Sequence, residues 1–258
     1  MLIQNRILER KAAGEKSLGT FSLLGDIAVD AISYTGFDYV IIDTEHSTID
    51  DNQMEIQVAI ATGRGYSPIV RIKETNRTSV MRALDAGAHG MIVPNLKTVE
   101  QAKHLVEWGK FMPVGERGFS ETRDGGWALG EQVQGTAEEY FEYCNANTLI
   151  LPQCETKECL ENLEEIMAID GIDGIFVGPY DLSLSLGIPV QFDNPIFTDA
   201  IDKVLRVCEE NGKLAVIYAD DAETTKMRYE QGFDSVTSGL DVVAMQNAYV
   251  EMVKAIRG

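Results

Sequence analysis

An α/β fold of the (β/α)₈ TIM-barrel type is what the sequence predicts. Short apolar runs rich in Val and Ile alternate with longer stretches of helical period, and eight such pairs can be counted along the chain. The length, 258 residues, is close to the ~250 typical of that barrel. A doubly wound sheet is the rival, but the first strand runs into Gly25-Asp26 without the Gly-x-Gly-x-x-Gly turn that would favour it. No Walker phosphate loop is present either.

The elements follow in order. A helix over residues 4–12 precedes the barrel. Strands are expected at 18–24, 39–43, 68–73, 90–94, 148–153, 174–178, 214–218 and 235–238, the short apolar runs whose alternation with helical segments buries a parallel sheet. Helices are expected between them, at 26–35, 50–62, 77–86, 98–109, 157–169, 197–211, 222–231 and 241–256. The segment from 110 to 147, with Gly115-Glu-Arg-Gly118 and Arg123-Asp-Gly-Gly126, exceeds an ordinary connection and reads as a functional or interface loop. No linker, low-complexity tract or further repeat divides the chain, so residues 1–258 are expected to form one domain.

Composition narrows the partners. Lys and Arg total 22 against 41 Asp and Glu, a formal net charge of −19; such a field repels nucleic-acid phosphates and anionic membranes. An anionic substrate would then need a locally positive spot: a metal, an arginine or a helix N-terminus. The cysteines, Cys144, Cys154, Cys159 and Cys208, show neither Cys-x-x-Cys nor the spacing of a disulfide framework and are expected as reduced packing residues. The N-terminus lacks a signal-peptide core and no apolar run approaches the ~18 residues that span a bilayer. The expected compartment is the cytoplasm.

In such barrels the chemistry sits at the C-terminal ends of the strands, and polar residues collect there. Asp43-Thr44-Glu45-His46 follows the run Tyr39-Val-Ile-Ile42, which makes His46 a candidate acid or base, since imidazole exchanges protons near neutral pH and a nearby carboxylate orients it. Arg71, inside Pro68-Ile-Val-Arg-Ile72, needs a partner: a structural carboxylate, a substrate carboxylate or a developing oxyanion. Lys73 shares its face, leaving open a Schiff-base lysine, ranked lower because Glu155 and Asp181 would then have no role. Those two carboxylates follow consecutive strands; they suit a hard divalent ion, Mg²⁺ or Mn²⁺, or else are solvated loop acids. His89 stands at the entrance to the fourth strand, where residues serve stability, and His104 on a solvated helix. Trp108 and Trp127 are expected to serve packing or an interface.

Taken together, Gly19-Thr-Phe-Ser22, Asp43-Thr-Glu-His46, Pro68-Ile-Val-Arg-Ile72, Ala83-Leu-Asp-Ala-Gly-Ala88, Ile92-Val-Pro94, Gln153-Cys-Glu-Thr156 and Gly174-Ile-Phe-Val-Gly-Pro-Tyr-Asp-Leu-Ser183 resemble the HpcH/HpaI aldolase family. These are metal-dependent pyruvate aldolases of the phosphoenolpyruvate/pyruvate-binding barrel superfamily, and the likeness covers nearly the whole chain. It implies that Glu155 and Asp181 bind the metal, that His46 is the acid/base and that Arg71 stabilises the enolate. Gln153 and the Tyr180-Asp181 backbone would hold the 2-oxo acid. Asp43 would orient or tune His46, and Asp85 would raise the basicity of that histidine across a subunit contact. The resemblance also implies a homo-oligomer, dimer or hexamer, in which the C-terminal helix packs on a neighbour; 244–256 has compatible apolar spacing.

The implied reaction is cleavage of a 4-hydroxy-2-oxo acid to pyruvate and an aldehyde. Thr44 stands where many relatives have glycine, and Tyr180 where alanine or serine is more usual. Glu45 receives no chemical role beyond support. An acyl-CoA lyase of the citryl- or malyl-CoA type is the alternative within the superfamily, disfavoured by the few basic residues, and a non-catalytic organic-acid-binding barrel is the alternative outside enzymology.

Overall fold

The computed structural model describes residues 4–258. Eight parallel strands close in sequence order into a barrel: β1 Ser17–Ser22, β2 Tyr39–Asp43, β3 Ser67–Arg71, β4 Gly90–Val93, β5 Leu149–Cys154, β6 Gly174–Val177, β7 Leu214–Ala219 and β8 Ser235–Leu240. Alternate side chains split between two cores, because successive residues of a strand face opposite sides. Tyr39, Ile41, Ile69, Ile92 and Leu151 fill the barrel interior, while Val40, Ile42, Val70, Met91 and Ile150 pack outward against the helices. The Tyr39 ring occupies the space a side chain at Gly19 would need, and its hydroxyl bonds Thr237 at 2.8 Å and Ser235 at 2.9 Å. The β1–β8 pairing carries a register shift between Gly19 and Phe21.

The helix Arg6–Ala12 closes the N-terminal end of the barrel. Asn5 caps it and donates through its amide to His89 O and Asn147 O, and Ile7 is buried among the interior residues. His89 sits 3.0 Å from Ser67 Oγ, and burial lowers its pKa to about 4, so a neutral imidazole serves structure there. His104 stacks on Trp108 at 5.2 Å on an outer helix.

Two expectations need correction, and one further helix was not foreseen. The helix expected at 157–169 is two short ones, Lys157–Glu161 and Leu163–Met167, which meet at Asn162. The 110–147 segment is not all loop: it contains a helix, Ala137–Asn147, entered through a capping box of Thr136 and Glu139. The chain after β6 turns at once into a seven-residue helix, Pro179–Ser185. Among the described residues no helix is long and apolar enough to cross a membrane. The last helix, Asp241–Arg257, buries none of its residues; Val243, Met245, Tyr249, Val250, Met252 and Val253 are 42 to 59% exposed.

Candidate active site

The C-terminal ends of β2 and β3 are in register, Asp43 beside Arg71. Asp43 is fully buried, and the Arg71 fork grips its carboxylate with both arms, Nε to Oδ1 at 2.9 Å and Nη2 to Oδ2 at 2.6 Å. The guanidinium lies 4.7 Å above the Phe21 ring. A buried ion pair of this geometry satisfies both charges, which is how an arginine is tolerated in so apolar a strand.

Asp43 Oδ1 also accepts the backbone N–H groups of Glu45 (3.1 Å) and His46 (3.3 Å). It therefore shapes the turn that presents His46 rather than gripping the imidazole, since Arg71 already claims both oxygens. The group beside the ring is Glu45: its Oε2 stands 3.6 Å from His46 Nε2 and 3.4 Å from Arg71 Nε. Burial raises the Glu45 pKa, and the positive charges of Arg71 and His46 oppose that rise. The His46 side chain itself is 66% exposed at the rim.

Across the mouth, Glu155 follows β5. Its Oε1 accepts the Asn95 backbone N–H at 2.5 Å, and its Oε2 accepts the Gln153 amide. Asn95 holds a left-handed turn, φ 56°, at the end of β4, a conformation Asn tolerates better than most residues. Gly178 closes against this pair: a Cβ there would stand 2.9 Å from Gln153 Nε2 and 3.3 Å from Glu155 Oε2. Asp181 lies exposed in the first turn of the helix that follows. Burial raises the Glu155 pKa, as do the charges of Glu45 and Asp181. A cavity of about 300 Å³ runs from Arg71 and Gln153 past Asp181 to Tyr180, Tyr218 and Asp220. Burial and the neighbouring Asp220 push the Tyr180 phenol up to about 12.

The donor set fits a hard cation. Burial raises the pKa of both Glu45 and Glu155, and the charges of neighbouring carboxylates add to that rise while Arg71 opposes it. Buried Gln153 Oε1 and Glu45 Oε2 have no hydrogen-bond donor. Among the described residues no three His, Cys, Asp or Glu side chains gather as a metal cage, and two carboxylates suit Mg²⁺, which keeps several waters.

Residues 23–248 match the HpcH/HpaI aldolase/citrate lyase family. The chain belongs to that family. Over 256 residues it is 33% identical to a 2-keto-3-deoxy-L-rhamnonate aldolase of Klebsiella pneumoniae, covering 96% of this chain and 91% of the relative. It is 31% identical over 245 residues to a hydroxypyruvate/pyruvate aldolase of Roseobacter denitrificans, covering 94% and 93%. The crystal structure of an HpcH/HpaI aldolase from Desulfitobacterium hafniense superposes with a TM-score of 0.87 at 28% identity, covering 97% of this chain and 96% of that one. This family member is a carbon–carbon lyase of the aldolase type.

Within one chain of the aldolase, Asp85 is not brought to His46. It ends the helix Arg77–Asp85 at the N-terminal end of the barrel, where Arg117 donates to it at 2.9 Å and to Asp124 at 2.7 Å. Lys73 lies beyond the end of β3, exposed, and does not line the cavity. Sequence reasoning missed the contacts of Glu45, and it missed Asn95, Tyr218 and Asp220 altogether. Asp220 had a signal, an acid just past an apolar strand; Asn95 had none, because its contribution is a backbone N–H.

Proposed function

We propose that this aldolase is divalent-metal-dependent and reversibly cleaves a 4-hydroxy-2-oxo acid to pyruvate and an aldehyde. The observation that carries the proposal is the convergence, on one barrel mouth, of a rim imidazole, a clamped guanidinium and two neighbouring carboxylates, with Arg71 and Asp181 lining a cavity of small-molecule size. Glu155 and Asp181 would hold Mg²⁺ or Mn²⁺, which when bound supplies Lewis acidity toward the 2-oxo group.

The chain's own residues do the rest. Arg71, fixed by Asp43, presents its remaining donor capacity to the substrate's oxo oxygen, where negative charge develops as the C3–C4 bond breaks. Gln153 and the backbone at Tyr180 and Asp181 orient the 2-oxo acid. His46 takes the proton of the 4-hydroxyl as the C3–C4 bond electrons pass into the enolate, which then takes a proton at C3 to become pyruvate. In the synthetic direction the same imidazolium returns the proton to the new hydroxyl.

Chelation should abolish pyruvate release, and Mg²⁺ or Mn²⁺ should restore it; activity that survives exhaustive chelation sinks the proposal. Because the Glu155 pKa is raised above 4.5, its carboxylate is protonated at a higher pH than an ordinary one. Metal affinity, followed by calorimetry, is therefore expected to weaken as pH falls through that raised value. Protonation has the opposite effect on the metal-free fold: it adds stability at low pH that is lost as pH rises past the folded value.

We also propose a homo-oligomer in which the bare apolar helix Asp241–Arg257 packs on a second copy, the arrangement that would cover its exposed residues. Light scattering behind a sizing column should give a mass of a dimer or a multiple of it, and a monomer after removal of 241–258. A monomeric full-length chain at micromolar concentration contradicts this. The buried free thiols of Cys144, Cys154, Cys159 and Cys208 support a reducing compartment, the cytoplasm.

A further inference from the structure

The cavity has two chemically different ends. In the closed strand order, β3 and β7 lie four strands apart, on opposite sides of the barrel. Arg71 ends β3, and Asp220 follows directly after β7; both line the same cavity. If the 2-oxo acid end occupies the side of Arg71 and Gln153, the aldehyde portion is directed toward Asp220.

Asp220 is built in rather than loose. Tyr180 donates its hydroxyl to Asp220 Oδ2 at 2.9 Å. The Tyr180 ring is itself fixed, edge-on to Phe192 at 5.2 Å and tilted against Tyr218 at 6.4 Å. Among the described residues no Lys or Arg forms an ion pair with Asp220. Arg228, which feels its charge, is buried behind it and donates to Gln231 instead. The cavity walls between the two ends are apolar, with Phe21, Phe176 and Leu240, and Asp220 stands exposed at the far end, where it is open to a bound molecule.

We infer that Asp220, positioned by Tyr180, is a specificity-determining residue: it accepts hydrogen bonds from the hydroxyls of an uncharged hydroxyaldehyde and repels an aldehyde that carries a carboxylate. This deepens the proposed aldolase reaction and rests on it. The carboxylate works both ways, because it is an acceptor without a free donor and a like charge to any second acid group. Tyr180 acts through Asp220 and is a positioning residue.

The test uses the metal-loaded enzyme with pyruvate and two acceptor aldehydes, glycolaldehyde and glyoxylate, which differ by a hydroxymethyl group against a carboxylate. The quantity read is the ratio of their kcat/KM values, compared between wild type and variant so that intrinsic aldehyde reactivity cancels. Asp220→Asn is expected to shift the ratio toward glyoxylate by about tenfold or more, and Tyr180→Phe to shift it the same way by less. An unchanged ratio in Asp220→Asn overturns the inference. Exchange of the pyruvate methyl protons in D₂O, which needs no aldehyde, reports separately on the underlying reaction. Wild-type enzyme that exchanges them while the Asp220→Asn ratio stays fixed refutes the role of Asp220 alone, whereas absent exchange refutes the aldolase mechanism and this inference with it.

Discussion

His46→Ala is expected to lower kcat for pyruvate release by about 10²–10⁴-fold, the usual contribution of a positioned general base. The imidazole is exposed at the rim, outside the packed barrel, so the variant should fold as wild type does and melt at the same temperature. Added imidazole should recover part of the lost rate, because the vacated rim is open to solvent. A variant that releases pyruvate at the wild-type rate would remove His46 from the mechanism and return attention to Glu45, whose carboxylate is 3.6 Å from the same ring.

Arg71→Ala should do two kinds of damage. The fully buried Asp43 carboxylate would lose both arms of its partner, and removing one member of a buried ion pair costs roughly 3–5 kcal/mol. Urea denaturation should show that loss. Activity should fall too, because the donor aimed at the developing oxyanion is gone. The second substitution Asp43→Asn separates the effects: in the Arg71→Ala background it should return much of the stability and none of the activity. If the single variant is as stable as wild type, Asp43 does not depend on Arg71 for its charge.

The architecture was legible because strands buried on both faces must be continuously apolar, as 39–42 and 68–70 are. The positions of His46, Arg71, Glu155 and Asp181 were legible for a related reason: each ends or follows such a run. Pairing was not. That Arg71 takes both oxygens of Asp43, leaving Glu45 to the imidazole, depends on strand register and on the turn after β2, and a linear pattern carries neither. The helix Ala137–Asn147 was passed over inside a long connection although Thr136 and Glu139 stand at capping-box spacing. Its weak amphipathic pattern reflects its packing against a small satellite core of Phe111, Tyr140 and Cys144, away from the barrel.

Gly178 divides the mouth into a part that natural variation can reach and a part it cannot. Any side chain there would drive into Gln153 and Glu155, so mutations on that side are paid for in the fold's own geometry before they alter what is bound. Tyr180 and Asp220 stand two residues on and one strand over, both exposed, and exchanges at these positions disturb no packed neighbour of the carboxylate pair. A lineage built on this barrel can therefore diversify its acceptor aldehydes by drift at two rim positions while the pyruvate half stays constant, without first passing through a destabilised ancestor.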